Sequence, residues 1–376
     1  MSFLKLRGSY AEVGNATDPF GLDPQVEIEN GTARLNEVLP NPDLLPEETT
    51  SLELGMDLRF LENRLRLDAT WYRTNTTDQI FRVAAPPGTL GRDRVVNGGD
   101  IQNTGIELVM GATIIDNSDF SWDLDVNFAT NQSEVIALAG TDSFTLSQFT
   151  DFIREYRLEV GGEFGDVYTR GYVRDDNGNV LVGDDGLPVT TSGLEVKTAN
   201  FTPDWLGGIR NSFKYKDFTL SALIDIRQGG DVISFTEAVL AGNGLTNYTA
   251  NGRDGLVFDG VDANGNPNTI STTSEALWTK LGGRNTAVGE AFVRDASNIR
   301  LRELVIGYTV PQRFLDKTFL TSASVSFVGR NLFFLKNNAE ILDPEAVAST
   351  GNSSEGRESF APPTTRTFGL SFNFGF

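Results

Sequence analysis

The sequence predicts an all-β chain: an antiparallel, up-and-down transmembrane β-barrel with about twelve strands. Three observations predict it. Apolar and polar residues alternate with period two through runs of about ten residues, the length at which a tilted strand crosses a bilayer. Short and long connections alternate, as in barrels with tight turns at one rim and long loops at the other. Aromatics such as Trp71, Tyr72, Tyr215, Tyr308 and Phe376 stand near strand ends, where an interfacial girdle would lie. Alternation alone also fits a soluble sandwich with its apolar face buried. The charged opposite faces, repeated over consecutive hairpins, favour the barrel.

The elements follow in order. In SLELGMDLRF (51–60), Leu52, Leu54, Met56, Leu58 and Phe60 oppose Glu53, Asp57 and Arg59. In RLRLDATW (64–71), Leu65, Leu67, Ala69 and Trp71 oppose Arg64, Arg66 and Asp68. FSWDLDVNF (120–128) and DFTLSALIDI (217–226) repeat the pattern. LEN (61–63), DNSD (116–119) and KYKD (214–217) read as tight turns, and PQRFLDKTF (311–319) as a compact link. Long polar segments cover 14–47, 82–100, 231–295 and 332–363. Alternating long and short connections fixes strand direction. Strands near 2–13, 48–60, 64–81, 101–115 and 119–130 run out, in, out, in, out. Strands near 204–215, 217–230, 296–310, 320–331 and 365–376 run in, out, in, out, in. The stretch 131–203 must then hold an even number of crossings. Two are expected, near 152–161 and 164–174, which makes twelve strands.

Composition narrows function. The 376 residues include 39 Gly and 26 Phe, which suits turn-rich β-structure. There is no Cys and no His, so disulfides, thiolate or imidazole metal sites and His-dependent triads are excluded. No cofactor or metal is expected. A net charge of −20 argues against nucleic acid as a partner. No apolar run reaches 18 residues, and MSFLKLRGSYAEVGN lacks the apolar core of a signal peptide. If the chain is exported, the signal lies elsewhere and the chain is a fragment.

Eight ordered segments resemble the C-terminal part of SusC/RagA-family TonB-dependent outer-membrane transporters of Bacteroidota. They are LRGSYAEVGN (6–15), NPDLLPEETTSLELGMDLRFLENRLRLDATWYRTNTTDQIF (41–81), NGGDIQNTGIELVMGA (97–112), TPDWLGGIRNSFKYKDFTLSALIDIRQGGDV (202–232), ASNIRLRELVIGYTVP (296–311), VGRNLF (328–333), LDPE (342–345) and FGLSFNFGF (368–376). The resemblance implies a 22-stranded barrel filled by an N-terminal plug. It also implies import of oligosaccharides, peptides or other large nutrients, energy from the TonB complex and a SusD-like lipoprotein as extracellular lid. By the same resemblance, residues 1–376 are the C-terminal barrel part. The plug and first strands are absent, TonB contact would run through that missing part, and outer-membrane lipid surrounds the barrel.

Several residues are candidates for function. Glu53, Asp57, Arg59, Arg64, Arg66 and Asp68 are expected to face the lumen, as a substrate path or simply a solvated wall. Phe235, Tyr248, Phe258 and Trp278 are candidate loop contacts for a glycan or peptide, against the plainer role of packing the loops. The terminal alternation with Phe372, Phe374 and Phe376 resembles the signal read by barrel-assembly machinery. RDDNGNVLVGDDGLPV (174–189) invites a calcium reading, but counting from Asp175 the sixth position is Val180, where Gly is required. It and DGVDANGNPN (259–268) read instead as loop hairpins. No catalytic residue is assigned. The alternatives to a transporter are a passive porin-type channel, a surface glycan-binding β-protein and a carboxylate-based hydrolase within a barrel.

Overall fold

The structure, a computed structural model, describes all residues except 18–21, 24–25, 36, 86–87, 90–91, 147–150 and 347–354. Ten long strands form its wall: β1 (Phe3–Asn15), β2 (Glu47–Phe60), β3 (Leu65–Ala84), β4 (Asp93–Asp116), β5 (Phe120–Leu138), β6 (Trp205–Tyr215), β7 (Phe218–Gln228), β8 (Asn298–Thr309), β9 (Ser322–Asn337) and β10 (Thr367–Gly375). Each pairs antiparallel with its neighbour in the chain, so the wall is an up-and-down meander. Among the described residues, β1 pairs only with β2 and β10 only with β9, so the sheet is open at both sides.

One face of this wall is apolar. Leu6 on β1, Leu54 on β2, Leu220 on β7 and Leu370 on β10 lie in rows set by the register and are exposed. A water-soluble domain rarely shows so large a contiguous apolar face; a bilayer solvates one. The backbone needs of a membrane strand are met between neighbours, which is why sequential hairpins suit this sequence.

The expected pair of crossings near 152–161 and 164–174 is relocated. β5 pairs directly with β6 from Phe120 to Ala129, with nothing between them. Strands do form at Arg154–Glu159 and Asp166–Thr169, but they join Ser143–Leu146 and Val196–Asn200 in a side meander that meets the wall at Val83 and Leu146. The main sheet still runs through twelve strands along its longest path. Two physical reasons keep the pair out of the wall. Strands of six and four residues are too short to cross. Arg154 also shares a face with Tyr156 and Leu158, so neither face would suit lipid.

Long connections are not structureless. β3 and β4 extend through much of 82–100, the segment read as a polar connection. Their outer ends, with that of β5, supply Phe81, Val83, Ile101 and Val135 to a core completed by Leu146, Ile153, Ile233, Phe235 and Phe292. Helix α1 (Phe235–Gly242) starts where the Ser234 side chain accepts from the Glu237 N–H at 3.0 Å. Helix α2 (Ser274–Leu281) starts where Thr273 does the same for Ala276 at 3.2 Å. Three loops thus fold over one end of the wall as a packed layer.

The other end carries the short turns. Leu61, Glu62 and Asn63 adopt positive φ, as does Lys216 in the two-residue turn between Tyr215 and Phe218. After β8, a single helical turn, α3 (Gln312–Leu315), leads to β9. Phe319 beside it stacks on Phe376 with ring centroids 5.8 Å apart.

Candidate functional site

The polar face of the wall is laced by side chains that reach across strands. Register puts Glu53, Asp57 and Arg59 of β2 and Arg66 and Asp68 of β3 on one face, with Arg7 of β1 and Asp125 of β5. Arg7 donates to Asp68 at 2.5 and 3.1 Å and to Thr70 at 3.1 Å, crossing the whole of β2. It passes over Gly55, where a Cβ would lie 2.9 Å from the guanidinium. Arg66 repeats the device, crossing β4 over Gly111 to reach Asp125 at 3.1 Å. Glycine in the middle strand is what lets an arginine on one side meet an aspartate on the other.

The remaining predicted residues are placed more locally. Arg59 pairs with Asp57 at 3.4 Å on its own strand, and the Ser9 hydroxyl donates to Glu53 at 3.4 Å. Arg64 sits in the turn before β3 and donates to the Thr113 and Ile114 carbonyls, tying down the base of β4.

Further along the same face lies a second cluster that the sequence reading missed. Glu303 accepts from Arg210 at 3.3 Å and Arg330 at 3.0 Å. Arg302 donates to Asp225 and Glu345, each at 2.6 Å. Adjacent residues Arg302 and Glu303 both serve this face because β8 bulges between Leu301 and Glu303. Alternation finds Arg210 and Asp225, but a bulge is invisible to it. Polar-face pairs that stay half exposed, such as Arg66–Asp125 and Arg7–Asp68, are worth little as stability. They mark instead a face kept charged and hydrated.

The four loop aromatics belong to the packed layer. Phe235 is buried, edge-on to Phe360 and beneath the Arg357 guanidinium. Tyr248 and Trp278 lie 4.7 Å apart, and the Tyr248 hydroxyl donates to buried Glu237 at 2.9 Å. Phe258 packs on Tyr172 at 5.9 Å. Trp278 also lines a cleft of about 450 Å³ with Asn243, Arg253, Thr273 and Glu275. Burial drives the Tyr248 phenol above its ordinary range, with Thr246 pulling the other way and the Glu237 charge adding to the rise.

The two acidic loop stretches are hairpins. Asp175 accepts from the N–H groups of Asn177 and Asn179, and Asp262 from those of Asn264 and Asn266. The Asn179 and Asn266 side chains lead in holding these two carboxyls below their usual range. Phe372 and Phe374 stand on the apolar face of β10, and Phe376 follows it at the short-turn rim.

Residues 2–332 match the family described as "TonB dependent receptor-like, beta-barrel". The chain is 27% identical over 406 residues to TonB-dependent receptor P3 of Formosa agariphila, covering 99% of this chain and 39% of that protein. It is 25% identical over 400 residues to TonB-dependent receptor SusC of Bacteroides thetaiotaomicron, covering 100% of this chain and 38% of that one. Its fold matches the RagAB peptide transporter with a TM-score of 0.70 at 21% identity, over 98% of this chain and 40% of the other. The chain therefore spans about two-fifths of the length of the relatives it matches. An apolar belt outside, a charged face opposite and a loop layer at one rim are the features of an outer-membrane barrel wall, and the chain belongs to the TonB dependent receptor-like β-barrel family.

Proposed function

We propose that this chain forms the C-terminal barrel portion of a TonB-dependent importer for oligosaccharides, peptides or other large nutrients. Its plug and first strands lie outside residues 1–376, and the TonB complex acts through that missing part. A SusD-like lipoprotein covers the loop layer. The polar face, with Glu53, Asp57, Arg59, Arg66 and Asp68, lines the lumen, and Arg64 anchors its short-turn rim. Trp278, in its cleft, is the loop aromatic best placed to stack on incoming substrate, while Phe235, Tyr248 and Phe258 hold the loops together. Phe372, Phe374 and Phe376 form the assembly signal. The chain has no catalytic role.

The observation that carries this reading is the relay of cross-strand ion pairs over one face, opposite an uninterrupted apolar belt. Such a face suits a water-filled conduit crossed by large polar solutes. The test is nutrient uptake by cells that express the complete protein, before and after a protonophore collapses the energy supply. An importer loses uptake with the proton gradient, and a SusD-like lipoprotein co-purifies with it. Uptake indifferent to the protonophore would instead mark a passive channel.

A further inference from the structure

Glu358 is a buried carboxylate with no ion-pair partner among the described residues. It is 5% exposed, in a two-residue strand that pairs in parallel with Ile233 and Ser234. Its two oxygens accept from the Ser234 and Thr236 hydroxyls, each at 2.6 Å. Among the described residues no basic side chain forms an ion pair with it. The nearest arginine in sequence, Arg357, turns instead to Asp151 at 3.1 Å. Beside it stands a second buried carboxylate, Glu237, 2% exposed. Arg294 and Tyr248 occupy Glu237 Oε1, while Oε2 has no hydrogen-bond partner among the described residues. Both glutamates line one cavity of about 230 Å³.

Two hydroxyls are weak compensation for a carboxylate taken out of water. The cavity offers what would complete it. Leu240, Leu342, Ala346 and Pro363 supply apolar wall, Thr246 and Asp343 add polar lining, and exposed Ile341 also lines it. A cation on a slender aliphatic stem satisfies both halves, with the ammonium at Glu358 and the methylenes along the apolar walls. We propose that this cavity is a binding site for the lysine side chain of a peptide. An amino sugar brings an ammonium too, but it presents ring hydroxyls rather than methylenes to Leu240, Leu342, Ala346 and Pro363. Binding here is a property of the loop layer and does not depend on energised import, so the two readings fail separately.

The test is calorimetric titration of the complete protein, extracted in detergent from outer membranes, with three probes: acetyl-Gly-Lys-Gly-amide, the same peptide acetylated on its lysine, and glucosamine. The free lysine peptide should bind at least tenfold more tightly than the other two. Glu358→Gln removes the charge, keeps one oxygen to accept from a hydroxyl, and should weaken it about tenfold. Ala361→Trp, at a lining position that makes none of those side-chain hydrogen bonds itself, should block binding and supplies the second arm if the Gln variant loses its fold. No binding by the wild-type chain, equal binding of the acetylated peptide, tighter binding of glucosamine, or affinity unchanged in both variants would overturn the proposal.

Discussion

The contact between α1 and α2 sets how firmly the loop layer is held, and Gly282→Ala probes it. Gly282 has φ −96° and ψ −163°, a conformation any residue adopts, so alanine brings no backbone strain. Its Cβ, however, would lie 2.5 Å from the Gly242 nitrogen and 2.7 Å from the Ala238 carbonyl oxygen. Both are backbone atoms and cannot swing aside. Reaching ordinary contact at 3.4 Å needs the helices to separate by about 0.9 Å, the difference between 3.4 and 2.5. Overpacking of this kind costs about 1–3 kcal/mol. The separation also strains the 2.8 Å hydrogen bond from Gly283 N–H to the Ala238 carbonyl, worth about 1 kcal/mol. The sum, about 2–4 kcal/mol, should speed hydrogen exchange in α1 and α2 by roughly 30- to 700-fold. Amides in β6 and β7 below the loops should keep their protection. Unchanged exchange in the two helices would refute the close-approach argument; exchange raised throughout the wall would refute the separation of layer from wall.

Other expectations follow from the same geometry. Burial pushes the Tyr156 phenol up to about 12 from its ordinary 10.0, so loop-layer stability is full below about pH 10 and falls as pH rises toward 12, by at most about 3 kcal/mol. Alkaline titration followed by loop proteolysis checks this, and a loop layer indifferent to pH over that window would contradict it. The Arg66–Asp125 pair, half exposed, should show a double-mutant coupling of about 0.2–1 kcal/mol. In a Gly111→Val background, which obstructs the path of Arg66, that coupling should fall to zero in denaturant unfolding. Phe376→Ala, if the terminal residues serve assembly, should reduce the heat-modifiable folded band in outer membranes while leaving expression unchanged; an undiminished band would remove that role.

Period-two patterning made the wall legible because every wall strand has one lipid-facing side, so a single exchange of faces would be costly. It placed Glu53, Asp57, Arg66 and Asp68 on one side without coordinates. It could not show that Arg7 and Arg66 reach over glycines, since Gly55 and Gly111 look like any small residue in a polar row. It also passed over Arg302, because one extra residue in β8 rotates the face. The stretch 131–203 misled for a different reason. Its strands are too short to cross, and Arg154–Glu159 buries one side, Asp166–Thr169 both, within the loop layer. The loop aromatics were visible as residues but not as a core, because their partners Phe292, Phe360 and Tyr172 come from distant segments.

The central claim is that one face of the wall meets lipid and the other meets water. Residues 1–376 have no Cys, so single cysteines placed here report without background from this part of the wall. Leu54→Cys and Leu370→Cys test the apolar face; Asp57→Cys and Ser371→Cys test the polar one. In intact outer membranes a charged, lipid-insoluble maleimide should label the polar-face pair and spare the apolar-face pair, which should react only after detergent extraction. Equal labelling of all four before extraction would contradict the barrel-wall account.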